Sequence, residues 1–226
     1  MSDWVKVRKN KLRVDLIKKH KSSGKVLDVG CGYGHFLKAM FDKLYFVYGL
    51  EMIQSKFEYA RKLVPRVKFE NFFNHQGSYD IITMWDVLEH IPERVAAVDK
   101  AYSLLNPDGI FVIQVPQADS FGARFAGYKW KYICPAHVNY FTKQSITVLL
   151  TLHGFKVLKI KSSWEPKNFL MSLKKRTEEE KQTDFDKIID RPKWLLKIGL
   201  FFHDVILQIL SFFRLGDEMI IIARKI

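Results

Sequence analysis

Two short clusters carry the side chains best suited to moving a proton or holding a cation. One is Asp86-Val87-Leu88-Glu89-His90, and the other is Pro135-Ala136-His137 within CPAHVNYF. The D-x-x-E-H spacing sets three ligand-capable groups on about one turn of helix or loop, and carboxylates with imidazole suit a divalent ion such as Mg²⁺ or Mn²⁺. The alternative is that Glu89 and His90 merely cap a helix. An imidazole near its ordinary pKa also serves as a general base. His137 is the foremost candidate for that role, with His90 and Glu89 as further catalytic candidates.

A third cluster is built to bind rather than to react. In VLDVGCGYGHFL an apolar run containing Asp28 meets Gly30, Gly32 and Gly34. A strand that ends in glycines and passes into a helix presents backbone N–H groups to a ligand, and glycine lets that ligand approach closely. A dinucleotide fingerprint, G-x-G-x-x-G, would need a glycine where His35 stands. The next apolar run ends in YGLE and puts Glu51 at the sheet edge, where a carboxylate can accept both hydroxyl protons of a ribose. Taken alone, that feature suits either kind of nucleotide.

These clusters must be positioned by regular elements. From Gly24 to about Ile160, short β-rich runs alternate with helical segments, as in a parallel sheet covered on both faces. Strands are expected at Lys25–Val29, Phe46–Leu50, Val67–Glu70, Tyr79–Trp85, Gly109–Val115 and Phe155–Lys161, with helices near His35–Lys43, Gln54–Val64, Glu93–Leu105 and Lys143–His153. Asn106-Pro107-Asp108-Gly109 reads as a turn, because proline stops the helix before it. Met219–Ala223 reads as a closing strand, antiparallel and beside the one before. The expected fold is therefore α/β: a Rossmann-like, doubly wound sheet of about seven strands, mostly parallel with an antiparallel last strand, and helices on both faces. The expected division is an N-terminal amphipathic helix (1–23), a core (24–161) with a lid at 117–141, a charged and hydrophobic helical insertion (162–215), and the closing strand (216–226).

Asp28, the G-x-G-x-G turn, Glu51, YDIITMWDVLEHI and LLNPDGIFVIQVP together resemble the class I S-adenosylmethionine-dependent methyltransferases, over about Lys25–Ile160 and again at Met219–Lys225. The D-x-x-E-H element with a later histidine is similar to one in polyprenyl-quinol O-methyltransferases and small-RNA 2′-O-methyltransferases, where a divalent metal can bind. The lid text resembles a subgroup common in glycan and secondary-metabolite pathways. The resemblance implies S-adenosylmethionine as cofactor, held by Asp28, Gly30, Cys31, Gly32, Gly34 and Phe36. Glu51 would bind the ribose and Met52 the adenine side. Asn71 and Phe72 would reach the adenine, and Trp85 and Asp86 would border the methionine moiety. Asp86, Glu89, His90 and His137 would form the metal set, in which Asp86 stands where the family has a glutamate.

The acceptor is expected to be a small molecule, a sugar or a lipid-linked group. The place after the fourth strand reads WDVL and lacks the D/N-P-P-Y/F motif of enzymes that methylate exocyclic amines, so oxygen is favoured. Tyr128, Trp130, Tyr132 and Tyr140 are candidates to stack on the acceptor, or else they pack the lid. A formal charge of +13 signals an anionic partner of some kind. RNA is the alternative substrate, though no appended RNA-binding motif supports it. A non-catalytic cofactor-binding protein is a third reading. Residues 194–213 are apolar but interrupted by Lys197, His203, Asp204 and Gln208, so they are read as a helix on the core, on a second subunit, or in a membrane interface. The two cysteines, Cys31 and Cys134, are read as reduced thiols, with a cytoplasmic location as the default; the 194–213 segment adds a membrane-peripheral alternative, and a monomer or homodimer is expected. The basic N-terminus has no unbroken apolar h-region and is not read as a secretory signal.

Overall fold

A computed structural model describes residues 3–163 and 216–226, with side chains at 7–162 and 216–226. The 194–213 segment and nearly all of the expected 162–215 insertion lie outside the described residues. Strands β1 (Lys25–Val29), β2 (Phe46–Glu51), β3 (Val67–Phe69), β4 (Tyr79–Trp85), β5 (Leu105–Pro116), β6 (Phe155–Ser163) and β7 (Glu218–Lys225) form one sheet in the order β3-β2-β1-β4-β5-β7-β6. The pairs β1 with β2, β1 with β4, β2 with β3 and β4 with β5 are parallel, and β7 is antiparallel to both β5 and β6. Helices α1 (Asp3–Lys18), α2 (His35–Phe41), α3 (Gln54–Leu63), α4 (Arg94–Leu104), α5 (Phe121–Ala126) and α6 (Lys143–Leu152) complete the described elements, with short 3-10 turns at Phe72–Asn74, Leu88–His90 and Gly127–Lys129.

The central strands are apolar on both sides because both sides are covered, as a parallel sheet requires. Leu27, Ile82 and Phe111 join Val98 of α4 and Leu150 of α6 in one core. Their neighbours in sequence, Val26, Ile81 and Ile110, face the other way onto Val14 of α1, Leu37 of α2 and Ala60 of α3. Val14 and Ile17 are the buried face of α1, whereas Val7 and Leu12 stay exposed. Apolar residues of α1 thus lie both on its buried side and outside it.

One local expectation changes. Asn106-Pro107-Asp108-Gly109 does not precede the strand as a free turn but lies within β5, where Asp108 has a φ of 58° and the pairing with β4 shifts between Tyr79 and Ile81. Proline ends α4 as expected. The strand simply absorbs the break as an irregularity.

Two features of this topology position the site. The strand order reverses between β1 and β4, which leaves a crevice outside their carboxyl ends, where open α/β sheets bind ligands. Because β7 runs antiparallel, its first residues enter at that same edge, with Glu218 beside Pro116 at the end of β5. The 117–141 segment rises from the edge and is closed at its base by a bridge between Gln117 and Phe141.

Candidate functional site

The glycine turn leaves β1 in the left-handed region, with φ of 66°, 56° and 75° at Gly30, Gly32 and Gly34. Two of these glycines have separable reasons. A Cβ on Gly34 would come within 3.1 Å of Ala60, so this glycine lets α2 start close against α3. At Gly32 a Cβ would meet nothing within 4 Å. The space beside Gly32 is open to a ligand, which is the cradle that a glycine turn provides.

Glu51 ties the turn to β2. Its Oε2 accepts from the Gly32 N–H at 2.8 Å, while Oε1 accepts from Met52 and Ile53 N–H at 2.9 and 2.8 Å. A buried carboxylate held by backbone donors stays fixed in place, and its remaining lone pairs are aimed by that holding. Asp28 lies beneath the turn, 2% exposed, and accepts from the Thr83 hydroxyl at 2.5 Å. Burial pushes its carboxyl up to about 7. Cys31 is buried, and burial also raises its thiol; Cys31 and Cys134 are both free.

The remaining expected cofactor residues are spread around this turn. Phe36 packs edge-on against Trp85 with ring centroids 5.1 Å apart. Met52 is exposed and Phe72 is buried in the core. Asn71 uses its side-chain oxygen to cap the Phe72–Asn74 turn, accepting from Phe73 N–H at 2.9 Å.

At the end of β4, Asp86 takes a φ of 59° and turns into a polar network that the sequence did not disclose. Gln114 Nε2 donates to both Asp86 carboxylate oxygens, at 2.9 and 3.1 Å, and to Glu218 at 3.0 Å. From α1, Arg13 donates to Gln114 Oε1 at 2.9 Å, lies 3.6 Å from Asp86, and sets its guanidinium 4.2 Å from the Trp85 ring centroid. Lys9 reaches Glu218 at 3.7 Å. Desolvation at the cleft floor, then Glu218, pushes the Asp86 carboxyl up, although its rim remains open to solvent.

The two histidine clusters meet in space. Glu89, His90 and His137 each offer a ligand atom, and the three atoms lie within 4.8 Å of one another. Asp86 is not in that group; its carboxylate is engaged by Gln114 and Arg13, so three of the four residues that the resemblance implied as a metal set come together. His90 Nδ1 lies 2.7 Å from the Ala136 carbonyl and His137 Nδ1 lies 2.8 Å from the Tyr132 carbonyl. A carbonyl only accepts, so each Nδ1 carries a hydrogen and each neutral ring has its lone pair on Nε2. Burial and the neighbouring His90 lower the pKa of His137.

Glu89 is 1% exposed, and its Oε2 is buried with no hydrogen-bond partner among the described residues. Burial, then Asp86, pushes its carboxyl up to about 8. An orphaned buried acceptor is costly and calls for a functional reason. The two chain segments are pinned together by Asn139. Its backbone N–H and that of Val138 donate to the Glu89 carbonyl, and its side chain donates to the Ile91 carbonyl at 2.6 Å and accepts from Arg94.

Among the lid aromatics, Tyr128 and Tyr140 are exposed, whereas Trp130 is 3% exposed. Trp130 therefore faces protein, as in the second of its two expected readings, packing rather than stacking. Arg13, Gln114, Asn139, Tyr132 in its polar role, and Glu218 are the residues that sequence reasoning missed. One signal was available for Glu218: an antiparallel closing strand must begin at the edge that holds the glycine turn.

Three comparisons bear on this site. A family model described as a methyltransferase domain matches residues 4–160. The chain is 34% identical over 119 residues to a ubiquinone biosynthesis O-methyltransferase of Actinobacillus pleuropneumoniae, an alignment covering 45% of this chain and 50% of that protein. The chain spans about half the length of such curated relatives. Its fold is shared with a SAM-dependent methyltransferase from Archaeoglobus fulgidus, at TM-score 0.62 and 19% identity, covering 96% of this chain and 94% of the other. It is shared as well with the cyclopropane synthase MmaA2 of Mycobacterium tuberculosis, at TM-score 0.62 and 16% identity, covering 96% and 83%.

Proposed function

We propose that this chain, which belongs to the methyltransferase-domain family, transfers the methyl group of S-adenosylmethionine to an oxygen of a small-molecule, sugar or lipid-linked acceptor. The observation that carries the reading is a carboxylate-held glycine turn, open at Gly32, that shares one crevice with two histidines bearing free Nε2 lone pairs. The residues fit the cofactor. Gly30 and Gly32 offer backbone to its amino-acid part, Glu51 offers a fixed carboxylate to the ribose, and Asp86 borders the methionine end. When bound, S-adenosylmethionine supplies an electrophilic methyl group on a cationic sulfonium.

The chain's own residues then have three tasks. Trp85, Phe36 and the 117–141 segment exclude water, which alignment of an in-line displacement requires. Asp86 places negative charge beside the methionine end of the crevice. His137 takes the acceptor's proton at Nε2, where the Tyr132 carbonyl has left the lone pair; a lowered pKa keeps that nitrogen unprotonated near neutral pH. The ubiquinone-pathway relatives are named for O-methylation, and the WDVL text after β4 supports oxygen over an exocyclic amine.

A second reading has its own observation. The orphaned Glu89 oxygen and the two Nε2 atoms form a donor set of one carboxylate and two imidazoles. Such a set suits Mn²⁺ better than Mg²⁺, which prefers oxygen ligands. Glu89, His90 and His137 would hold the ion, which would act as a Lewis acid toward the acceptor oxygen. The Nδ1 contacts to carbonyls are the orienting bonds that metal-binding histidines make.

The test is transfer of labelled methyl from S-adenosylmethionine into a cell extract separated into lipid, polysaccharide, RNA and small-molecule fractions, with and without chelator. Label outside the RNA fraction supports the leading reading, and loss on chelation favours the ion. Label in RNA would replace it with RNA methylation. His137→Ala is expected to keep cofactor affinity and to lose about a hundred- to ten-thousandfold in transfer; full turnover would remove His137 from the mechanism.

A further inference from the structure

The lid, the closing strand and the N-terminal helix meet at one carboxylate, Glu218. It is 8% exposed and stands at the first position of β7. The Tyr132 phenol donates to Glu218 Oε1 at 2.6 Å, Gln114 Nε2 donates to Oε2 at 3.0 Å, and Lys9 Nζ lies 3.7 Å from Oε2. Tyr132 is at the same time the residue that holds His137. Its carbonyl takes the His137 Nδ1 hydrogen at 2.8 Å, and its ring lies nearly parallel to the imidazole, at 18°, with centroids 6.1 Å apart. The chain of contacts is therefore continuous from β7 through a phenol and its own backbone to the imidazole.

We infer that Glu218 and Tyr132 are positioning residues: the Glu218 carboxylate anchors the Tyr132 phenol, and the anchored tyrosine fixes the His137 ring and its tautomer so that Nε2 faces Glu89 and His90. A histidine in a loop would otherwise rotate and exchange its hydrogen between the two nitrogens. The other bonds hold the loop's backbone rather than the ring: the Ala136 carbonyl takes the His90 Nδ1 hydrogen, and Val138 and Asn139 N–H donate to the Glu89 carbonyl. His137 N–H donates to the Cys134 carbonyl within the same turn, and Pro135 and Ala136 are exposed. Next to Glu218 in the chain, Asp217 does related work at the lid's other limb. It accepts from the Ser120 hydroxyl at 2.8 Å, and its carbonyl accepts the Gln117 N–H at 2.8 Å. Two adjacent acidic residues at the start of β7 thus hold both limbs of the 117–141 segment. Through Gln114, Glu218 is also linked to Asp86, so the lid and the floor of the crevice share one anchor.

The inference rests on the proposed function only in taking His137 to work at Nε2; the anchor itself can be read without turnover. The experiment is nitrogen NMR of isotope-labelled histidines in the full chain, which distinguishes an Nδ1-protonated ring from an Nε2-protonated one, on the wild type, Tyr132→Phe and Glu218→Ala. Tyr132→Phe removes one oxygen and keeps the ring and carbonyl, so it carries the test even where Glu218→Ala does not fold.

The expected result is a wild-type His137 protonated at Nδ1 and a mixed or exchanging signal in Tyr132→Phe. S-adenosylmethionine affinity should stay within about twofold, and methyl transfer into the responsive extract fraction should fall on the order of tenfold. An unchanged His137 signal in Tyr132→Phe overturns the anchor, whatever the turnover. A changed signal with full turnover leaves the anchor standing and removes the base role from His137, so the two failures are told apart.

Discussion

The two halves of the crevice are built differently. The half proposed for the cofactor is local and made of backbone: Gly30 to Gly34 follow β1 directly, and the Glu51 carboxylate closes the turn from the adjacent strand by accepting from the Gly32 N–H, itself held by the N–H groups of Met52 and Ile53. The half proposed for the acceptor is assembled from side chains that are far apart in sequence. Glu89 and His90 come from a 3-10 turn after β4, His137 from the lid, Gln114 from β5, Arg13 from α1 and Glu218 from β7. Backbone held by a sheet edge is fixed by the fold itself. Side chains on loops need other side chains to hold them, so the acceptor half can be altered piece by piece while the cofactor half tolerates little.

The largest expected effect breaks the cofactor half alone. Gly32→Val puts a β-branched side chain into the open cradle at a positive φ, and affinity for S-adenosylmethionine is expected to fall on the order of a hundredfold or more by calorimetry, because backbone strain and blocked space add. Retained affinity would mean that the cofactor does not approach the turn at Gly32.

A smaller effect should touch only the other half. Asn139→Ala removes the amide that joins the Glu89 turn to the lid and leaves the Ile91 carbonyl without that donor. Methyl transfer is expected to drop on the order of tenfold, with a stability loss of about 1–3 kcal/mol and cofactor affinity unchanged. A parallel loss of cofactor affinity would show that the halves are not separable.

A third effect sharpens the cofactor half through pH, on stability rather than on transfer. The folded-state carboxyl of Asp28 is raised from 3.8 to about 7 by burial. The folded protein therefore binds more protons than the unfolded chain between those values, and stability falls as pH rises through that window. Stability from this group is fully present below about pH 4 and lost by about pH 7. Asp28→Asn should remove that part of the slope, with a flatter thermal midpoint across the window. An unchanged slope would assign the pH dependence to other groups.

Much of the cofactor half was legible because its signals are short-range. The turn, Asp28 and Glu51 are each set by the end of one strand, and the strand boundaries follow apolar runs bounded by glycine, proline or charge. The acceptor half was legible only as two unconnected clusters. Spacing suggested that Asp86 joins Glu89 and His90, but the positive φ at Asp86 turns its carboxylate to Gln114 and Arg13 instead. The sequence left Trp130 and Tyr128 alike open to stacking or packing, and only the tertiary structure shows that one is buried while the other is exposed. The expected helix at 194–213 lies outside the described residues. Among those described, no helix is long and apolar enough to cross a membrane.

The sequence by itself determined the α/β alternation, the sheet with its antiparallel last strand, and the glycine turn with its carboxylate, since each depends on neighbours within a few residues or on one strand edge. Tertiary structure alone decided that His137 lies against Glu89 and His90, that Asn139 pins them together, and that Glu218 anchors Tyr132. Those contacts join residues from about 50 to more than 80 positions apart, and no local pattern records which distant side chains a packed core will bring to one edge.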